Sequence, residues 1–365
     1  MKTILKKYAQ LLVNYCLEVK EGEKLYITTT TLAEPLVREV YREAMRKGAH
    51  VHTDFRFLGQ NRIFMEEASD LQLRYVSPFL RQAMEEFDCY LYIRAPYNLR
   101  EDGNISQAKA KVYGEAMKGV NKTYFARTAT RELKRNLCQY PTLASAQQAG
   151  MSMEAYADFV YGACSLREDD PTQAWLKRRA DQQKITDLLN KRQKVRYVGK
   201  DIDISFSTKG RTWINSDGQT NMPSGEVYTS PVEDSVNGTI RFSYPGIYGG
   251  HETEGVTLWV KDGYIEKWEA KRGKEYLDKI FQIPGTRRFG EAAVGTNYNI
   301  SRMTKNILFD EKIGGTVHMA IGQSYLQCGG KNESSVHWDM ITDMTNSGEI
   351  YADDEKIYEN GKFIL

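Results

Sequence analysis

Cysteine pairs, long apolar runs and an excess of one charge are all missing from this sequence. The five cysteines are odd in number and widely spaced, with no C-x-x-C pair. This argues against a disulfide framework or a zinc ribbon and favours a reducing compartment. No stretch of about 18 apolar residues occurs, so a membrane-spanning helix is not expected. Lysine plus arginine number 50 against 48 acidic residues, a balance that gives no nucleic-acid footprint.

Signals for nucleotide binding and for export are missing as well. Neither G-x-G-x-x-G nor G-x-x-x-x-G-K-[ST] occurs, so nucleotide binding has no support. The segment "MKTILKKYAQLLVNYCLEVK" has a basic start, but polar residues interrupt its apolar ones and no A-x-A cleavage site follows. The pattern indicates an amphipathic helix and not a signal peptide, and we expect a cytoplasmic protein.

The length of 365 residues is more than one hydrophobic core usually holds, so two domains are expected. In the first half, β-rich runs such as "KLYITTT", "VHTDFRF" and "DCYLYIRAP" alternate with helical segments, as in βαβ units. This predicts an α/β domain over residues 1–190, with a mainly parallel sheet and a polar connector helix at its end. A helix at about 105–118 and a short strand "KTYFAR" belong to the same prediction.

The second half, residues 191–365, consists of short β-runs separated by turn signals. Asp262-Gly263 and Asn360-Gly361 have the composition of tight hairpin turns. We therefore predict a mostly antiparallel β domain, which makes the fold class α/β plus β-rich.

Side chains that bind metals or move protons are concentrated in this second half. If the H-x-D triplet of His337 and Asp339 is extended, both side chains lie on one face of the strand. His318 lies in the strand-like segment "GTVHMAIG". Further acids are Glu226 in "NMPSGEVYTSP", Glu291 in "RRFGEAAVG" and Glu311 in "LFDEK". Each of these residues taken alone more often has a structural role. Together, however, four carboxylates and two imidazoles form a mixed oxygen and nitrogen ligand set, which suits Zn, Co, Mn or Mg better than a metal that prefers thiolates.

The order of these motifs resembles the aminopeptidase T / aminopeptidase S family of metallopeptidases over nearly the whole chain. A P-x-x-E-V-[YF]-T-x-P segment runs from Pro223 to Pro231, followed by the G-E, "LFDEK", H-x-A-x-G and H-x-D elements in order. The resemblance implies a homodimeric aminopeptidase that removes N-terminal residues from short peptides. It also implies two divalent ions held by the β-rich domain, which activate the attacking water.

The resemblance also implies roles for individual residues. Tyr325 stands seven residues after His318, the place of the family's active-site tyrosine, where it would hydrogen-bond the oxyanion. Glu291 would bridge the ions, and Glu226 would act as a ligand or as the base. The implied ligands are Glu226, Glu291, Glu311, His318, His337 and Asp339.

The sequence departs from the family pattern at three places. Many members have a glutamate where Gly225 precedes Glu226, the segment from Glu311 to His318 is two residues longer, and the segment from His318 to His337 is shorter. Two other functions stay open: a dinuclear hydrolase acting on another amide or ester, and a non-catalytic metal-binding protein. Neither nucleic acid nor membrane is expected as a partner.

Overall fold

The structure, a computed structural model, describes residues 2–364, and these form two compact units. The first comprises the described residues up to Thr172 together with Gly218–Pro223. The second comprises Gln173–Asp217 and the described residues from Ser224 onward. Most of the predicted connector helix belongs to the second unit; the division at residue 190 into separately folding domains stays a prediction.

The described residues contain both helices and short strands. The helices are α1 (Lys2–Gln10), α2 (Glu34–Arg46), α3 (Gln60–Glu67), α4 (Asp70–Leu73), α5 (Pro78–Glu86), α6 (Gln107–Ala129), α7 (Leu143–Gln148), α8 (Met153–Ala163), α9 (Pro171–Leu189), α10 (Lys274–Ile280) and α11 (Ile307–Asp310). The strands are β1 (Lys24–Thr30), β2 (His50–Arg56), β3 (Cys89–Arg94), β4 (Lys134–Gln139), β5 (Lys194–Gly199), β6 (Ile202–Ser207), β7 (Ile214–Ser216), β8 (Asn221–Met222), β9 (Glu226–Thr229), β10 (Asn237–Arg241), β11 (Gly246–Tyr248), β12 (His251–Thr253), β13 (Thr257–Lys261), β14 (Tyr264–Glu269), β15 (Phe289–Gly295), β16 (Thr316–Gly322), β17 (His337–Asp343), β18 (Glu349–Ala352), β19 (Glu355–Glu359) and β20 (Lys362–Phe363).

The first unit is built on a five-stranded sheet in the order β2-β1-β3-β4-β8, and every pairing in it is parallel. Strand β1, which has a neighbour on each side, is buried along most of its length, as expected for a parallel sheet covered by helices. The predicted α/β architecture with a parallel sheet is confirmed.

One predicted strand of the first unit is wrong. Residues 122–127, "KTYFAR", continue helix α6, and the strand at this point of the sheet is β4. Val120 is buried and Tyr124 packs with it in one apolar cluster. Their spacing of four residues places both on one face of a helix, and this packing outweighs the β-propensity of the aromatic pair.

The second unit contains two larger antiparallel sheets and a two-stranded hairpin of β11 and β12. The eight-stranded sheet has the order β14-β13-β10-β6-β5-β18-β19-β20, and the five-stranded sheet has the order β17-β16-β15-β9-β7. Asp262 and Asn360 both have a φ of 48°, followed by glycines at 73° and 83°, so both predicted hairpin turns are confirmed. The β-rich architecture is confirmed.

One apolar cluster joins both larger sheets of the second unit. Tyr197 and Phe206 of the eight-stranded sheet belong to the same buried cluster as Val294, Met319 and Trp338 of the five-stranded sheet. This core covers one face of the five-stranded sheet. All five cysteines lie within the described residues, where they are buried and form no disulfide. Among residues 2–364, no helix combines the length and the apolar character that a membrane crossing requires.

Candidate metal centre

Neighbouring strands of the five-stranded sheet bring five of the six predicted ligands together. Glu226 is the first residue of β9, and Glu291 is the third of β15. His318 is the third residue of β16, and His337 and Asp339 are the first and third of β17. These strands are adjacent in the order β17-β16-β15-β9. Since neighbouring strands lie about 4.8 Å apart, side chains on one face come within reach of a shared ion.

Glu226, Glu291 and His318 form a first group, in which one ligand atom of each lies within 4.8 Å of the others. The Nε2 atom of His318 is 3.5 Å from Oε2 of Glu226 and 3.6 Å from Oε1 of Glu291. All three side chains are buried. Two carboxylate oxygens with one imidazole nitrogen are donors suited to a divalent cation.

Glu291, His337 and Asp339 form a second group with the same mutual reach. The Nε2 atom of His337 is 3.1 Å from Oε2 of Glu291 and 3.4 Å from Oδ1 of Asp339. The Nδ1 atom of His337 donates to the backbone oxygen of Gln323 over 2.8 Å, which leaves Nε2 for a ligand bond. Glu291 thus offers a different oxygen to each group, the arrangement that a bridging carboxylate requires.

Several donor atoms in this centre are buried without a hydrogen-bond partner among the described residues. They are Oε2 of Glu226, both ring nitrogens of His318 and Oδ1 of Asp339. Buried polar atoms are nearly always hydrogen-bonded, so an orphaned set needs an explanation. A divalent ion supplies one for Oε2 of Glu226, Nε2 of His318 and Oδ1 of Asp339, because these three atoms are oxygen and imidazole donors of residues in the two ligand groups. The residues present therefore fit a metal centre.

Burial and crowding shift pKa values in the centre. Burial raises the pKa of Glu226, and it raises the pKa of Glu311 to about 8. Burial by itself lowers the pKa of His318, but the carboxylate of Glu291, 3.6 Å from Nε2, outweighs burial and raises that pKa to about 9. Ligands bind metal in their deprotonated forms, so a bound cation displaces these protons.

Lys312 is a member of this centre that sequence reasoning missed. Its side chain is completely buried, with Nζ 3.5 Å from Oε1 of Glu226 and in contact with Oε1 of Glu311. The residue stands in the "LFDEK" motif, but lysine is the residue type least expected in a protein interior. The available signal was its position directly after a predicted ligand acid.

Glu311 lies beside the two groups. It follows helix α11 and contacts Lys312, and neither group found among residues 2–364 includes it. Its role as a ligand stays a prediction.

Tyr325 lies at the edge of the second group. Its hydroxyl is 3.3 Å from Nε2 of His337, and its ring centroid is 5.2 Å from that of Tyr228. Its backbone N–H donates over 3.1 Å to Oγ of Ser230, which in turn donates to the carbonyl of Gly290 beside Glu291. Burial raises the pKa of Tyr325 well above its usual value, so the hydroxyl keeps its proton and remains a donor.

Gly225, one of the three departures from the family pattern, lies where the backbone passes close to Asn297. Its φ is +115°, and a Cβ at this position would lie 2.7 Å from Cβ of Asn297. The side-chain amide of Asn297 donates to the carbonyl of Ser224 over 2.8 Å. Asn297 therefore fills the space that a side chain at position 225 would need, and it holds the segment that leads into Glu226.

We expect Gly225→Ala to destabilise the protein more than Gly210→Ala does. Both glycines have positive φ, but no atom of the described residues lies within 4 Å of a Cβ at Gly210. The clash at Gly225 adds an overpacking cost of roughly 1–3 kcal/mol to the backbone strain that both share. Denaturant unfolding of both variants measures the difference. Equal losses of unfolding free energy would show that Asn297 yields to the added methyl group.

Comparisons with known proteins give this geometry its context. The family model described as "Thermophilic metalloprotease (M29)" matches residues 1–363. "Aminopeptidase 2" of Geobacillus stearothermophilus is 27% identical, covering 92% of this chain and 91% of its own. Wild-type AmpT from Thermus thermophilus has a solved structure with a TM-score of 0.85 at 21% identity, covering 100% of both chains.

A second solved structure shares the fold and has a different activity in its name. 2,5-Dihydroxypyridine dioxygenase from Pseudomonas putida KT2440 has a TM-score of 0.61 at 16% identity, covering 100% of this chain and 97% of its own. Likeness of fold therefore does not decide the chemistry, whereas the family model follows the sequence almost from end to end. The resemblance read from the motifs is confirmed, and the chain belongs to the M29 family of metalloproteases.

Proposed function

We propose that this chain is a metal-dependent aminopeptidase that removes N-terminal residues from short peptides through a dinuclear centre. The observation that carries the proposal is the pair of ligand groups that share Glu291. The names of the curated relatives, such as "Aminopeptidase 2" and "Aminopeptidase T", support the reaction type. A homodimer and a cytoplasmic location, both expected from sequence, belong to the same proposal.

The two groups define where the ions would be held. Glu226 and His318 would hold one ion, His337 and Asp339 would hold the other, and Glu291 would serve both. Zn, Co, Mn and Mg all suit such oxygen and nitrogen donors. When bound, the ions lower the pKa of a water molecule and polarise the scissile carbonyl.

The protein's own groups would move the protons and stabilise charge. Glu226 would serve as an ion ligand or as the base that accepts a proton from the attacking water, and its Oε2, which has no hydrogen-bond partner among the described residues, is the atom available for either role. The hydroxyl of Tyr325 would donate a hydrogen bond to the oxyanion of the tetrahedral intermediate. The hydrogen bond from Nδ1 of His337 to the carbonyl of Gln323 orients the ring with Nε2 toward Tyr325.

Removal of metal tests this function. We expect protein stripped by a chelator to lose peptide cleavage, and single additions of Co, Zn, Mn or Mg to restore it at about two ions per chain. Release of free amino acid from short peptides, with elemental analysis of bound metal, measures both quantities.

The matched control is the same peptide with an acetylated N-terminus, which an aminopeptidase leaves intact. Metal binding without cleavage of any free-amine peptide would contradict the proposal. It would favour a dinuclear hydrolase for another amide or ester, or a non-catalytic metal-binding protein.

A further inference from the structure

The ammonium of Lys312 is buried between two carboxylates at the back of the metal centre. Its side chain has no exposed surface, its Nζ atom is 3.5 Å from Oε1 of Glu226, and it contacts Oε1 of Glu311. Removing a charge from water costs several kcal/mol unless partners compensate it. The burial of the Lys312 charge therefore depends on both carboxylates. Each carboxylate in turn has a positively charged partner that is part of the protein.

The two oxygens of Glu226 are divided between different partners. Oε1 lies toward Lys312, whereas Oε2 lies 3.5 Å from Nε2 of His318 and has no hydrogen bond to a described residue. Lys312 thus fixes the orientation of the carboxylate and leaves one oxygen for an ion. This is the usual task of an outer-shell partner, which orients a ligand and tunes its basicity.

Glu311 is the second carboxylate that contacts Lys312. Its observed ionic contact is with Lys312, and neither ligand group in the described part of the chain includes it. Both groups reach three donors without its help.

The backbone around Lys312 is tied to the segment that carries Glu226. The carbonyl of Lys312 accepts from the backbone N–H of Asn297 over 3.0 Å, and the side chain of Asn297 donates to the carbonyl of Ser224 over 2.8 Å. One asparagine therefore links the lysine to the strand of its partner acid. This link consists of protein atoms alone and does not depend on a bound ion.

We propose that Lys312 is a positioning residue, an internal cation that orients Glu226 and holds Glu311 as its counter-ion outside the metal-ligand set. The inference rests on one part of the proposed function, namely that the two ligand groups bind the metal ions. It assigns this chain five ligands, namely Glu226, Glu291, His318, His337 and Asp339. It also predicts that the carboxylates stay in place when no ion is bound.

Binding of Co²⁺ tests the assignment of Glu311. We expect Glu311→Gln and the double variant Glu311→Gln/Lys312→Met to bind as many Co²⁺ ions per chain as the wild type, with unchanged visible absorption bands. Loss of Lys312 as an outer-shell partner should weaken Co²⁺ binding by about 10–100-fold without changing the number of ions bound at saturation. Glu291→Gln is the comparison variant and should lose bound Co²⁺ and change the bands. Loss of an ion or a shifted band in Glu311→Gln would make Glu311 a ligand and overturn the proposal.

Unfolding of the metal-free proteins in chelator tests the ion pair itself. We expect Lys312→Met to have a lower unfolding midpoint than Glu311→Gln/Lys312→Met, because the single change leaves an uncompensated buried carboxylate. The exposed pair Lys267–Glu269, at 2.9 Å, provides the control, and its two neutralising substitutions should have additive, small effects. Additive losses at Glu311 and Lys312 would overturn the pairing.

The two measurements do not depend on peptide cleavage, so they separate this proposal from the proposed function. A wild-type protein that binds Co²⁺ but cleaves no peptide would contradict the function alone. If Lys312→Met does not fold while the double variant does, the pairing is supported. If neither folds, the Co²⁺ bands of Glu311→Gln decide the proposal: unchanged bands support it and shifted bands overturn it.

Discussion

Replacing Glu291 by glutamine will lower cleavage of a free-amine peptide by on the order of 10³-fold or more and will reduce bound metal. Loss of an outer-shell partner already costs about 10–100-fold in metal affinity or activity, and loss of a direct ligand exceeds it. The structure makes Glu291 the most sensitive position, because its Oε1 faces His318 and its Oε2 faces His337. A single substitution therefore disturbs both ligand groups.

The Glu291→Gln substitution removes the negative charge of the side chain and leaves its volume nearly unchanged. Glutamine has nearly the volume of glutamate, so the fully buried strand β15 keeps its packing and circular dichroism should be unchanged. Glu266→Gln on exposed strand β14 is the matched control and should leave turnover and metal content as in the wild type. Wild-type metal content in Glu291→Gln would remove Glu291 from the centre and contradict a shared dinuclear site.

Tyr325→Phe will lower kcat by about 10²–10³-fold, with little change in KM. This corresponds to the roughly 2.7–4 kcal/mol lost when one oxyanion donor is removed. A hydrogen bond formed only in the transition state affects kcat and leaves substrate binding nearly unchanged. The hydroxyl is positioned for this role, 3.3 Å from Nε2 of His337 at the edge of the second ligand group.

Steady-state kinetics on a short peptide, with metal content confirmed for each protein, measure this effect. Tyr264→Phe is the control, since this tyrosine is 42% exposed and loses the same hydroxyl. An unchanged kcat in Tyr325→Phe would contradict the oxyanion role and would leave Tyr325 as a residue that packs against Tyr228.

The fold could be predicted from sequence wherever one local signal dominated. The Asp-Gly and Asn-Gly turns require positive φ at both central residues, and the structure has it at Asp262 and Asn360. At "KTYFAR", two signals competed, since aromatic content favours a strand whereas the spacing of Val120 and Tyr124 favours a helix. The deciding factor was packing against the parallel sheet, which a short window of sequence does not contain.

The centre could be predicted only as far as its residue types are unusual in a core. Histidines and acids within strand-like or glycine-flanked segments can be recognised in a sequence. Five of the six residues predicted in this way converge in the structure. Lys312 does not stand out, because most lysines lie on the surface and its burial depends on Glu226, 86 positions away. Contacts of this kind follow from strand pairing and not from local pattern.

The strands that carry the ligands are neighbours in space but unequal in their separation along the chain. Strand β9 ends at Thr229 and its partner β15 begins at Phe289, whereas β15, β16 and β17 pair in the order in which they are synthesised. Closing a long loop costs entropy before its contacts form, so the β9–β15 pairing should be a late event in folding. A metal ion then finds its complete set of donors only in the finished fold, and its binding stabilises that state alone. Cellular metal supply would therefore govern how long each newly made copy survives proteolysis, as well as how fast it works.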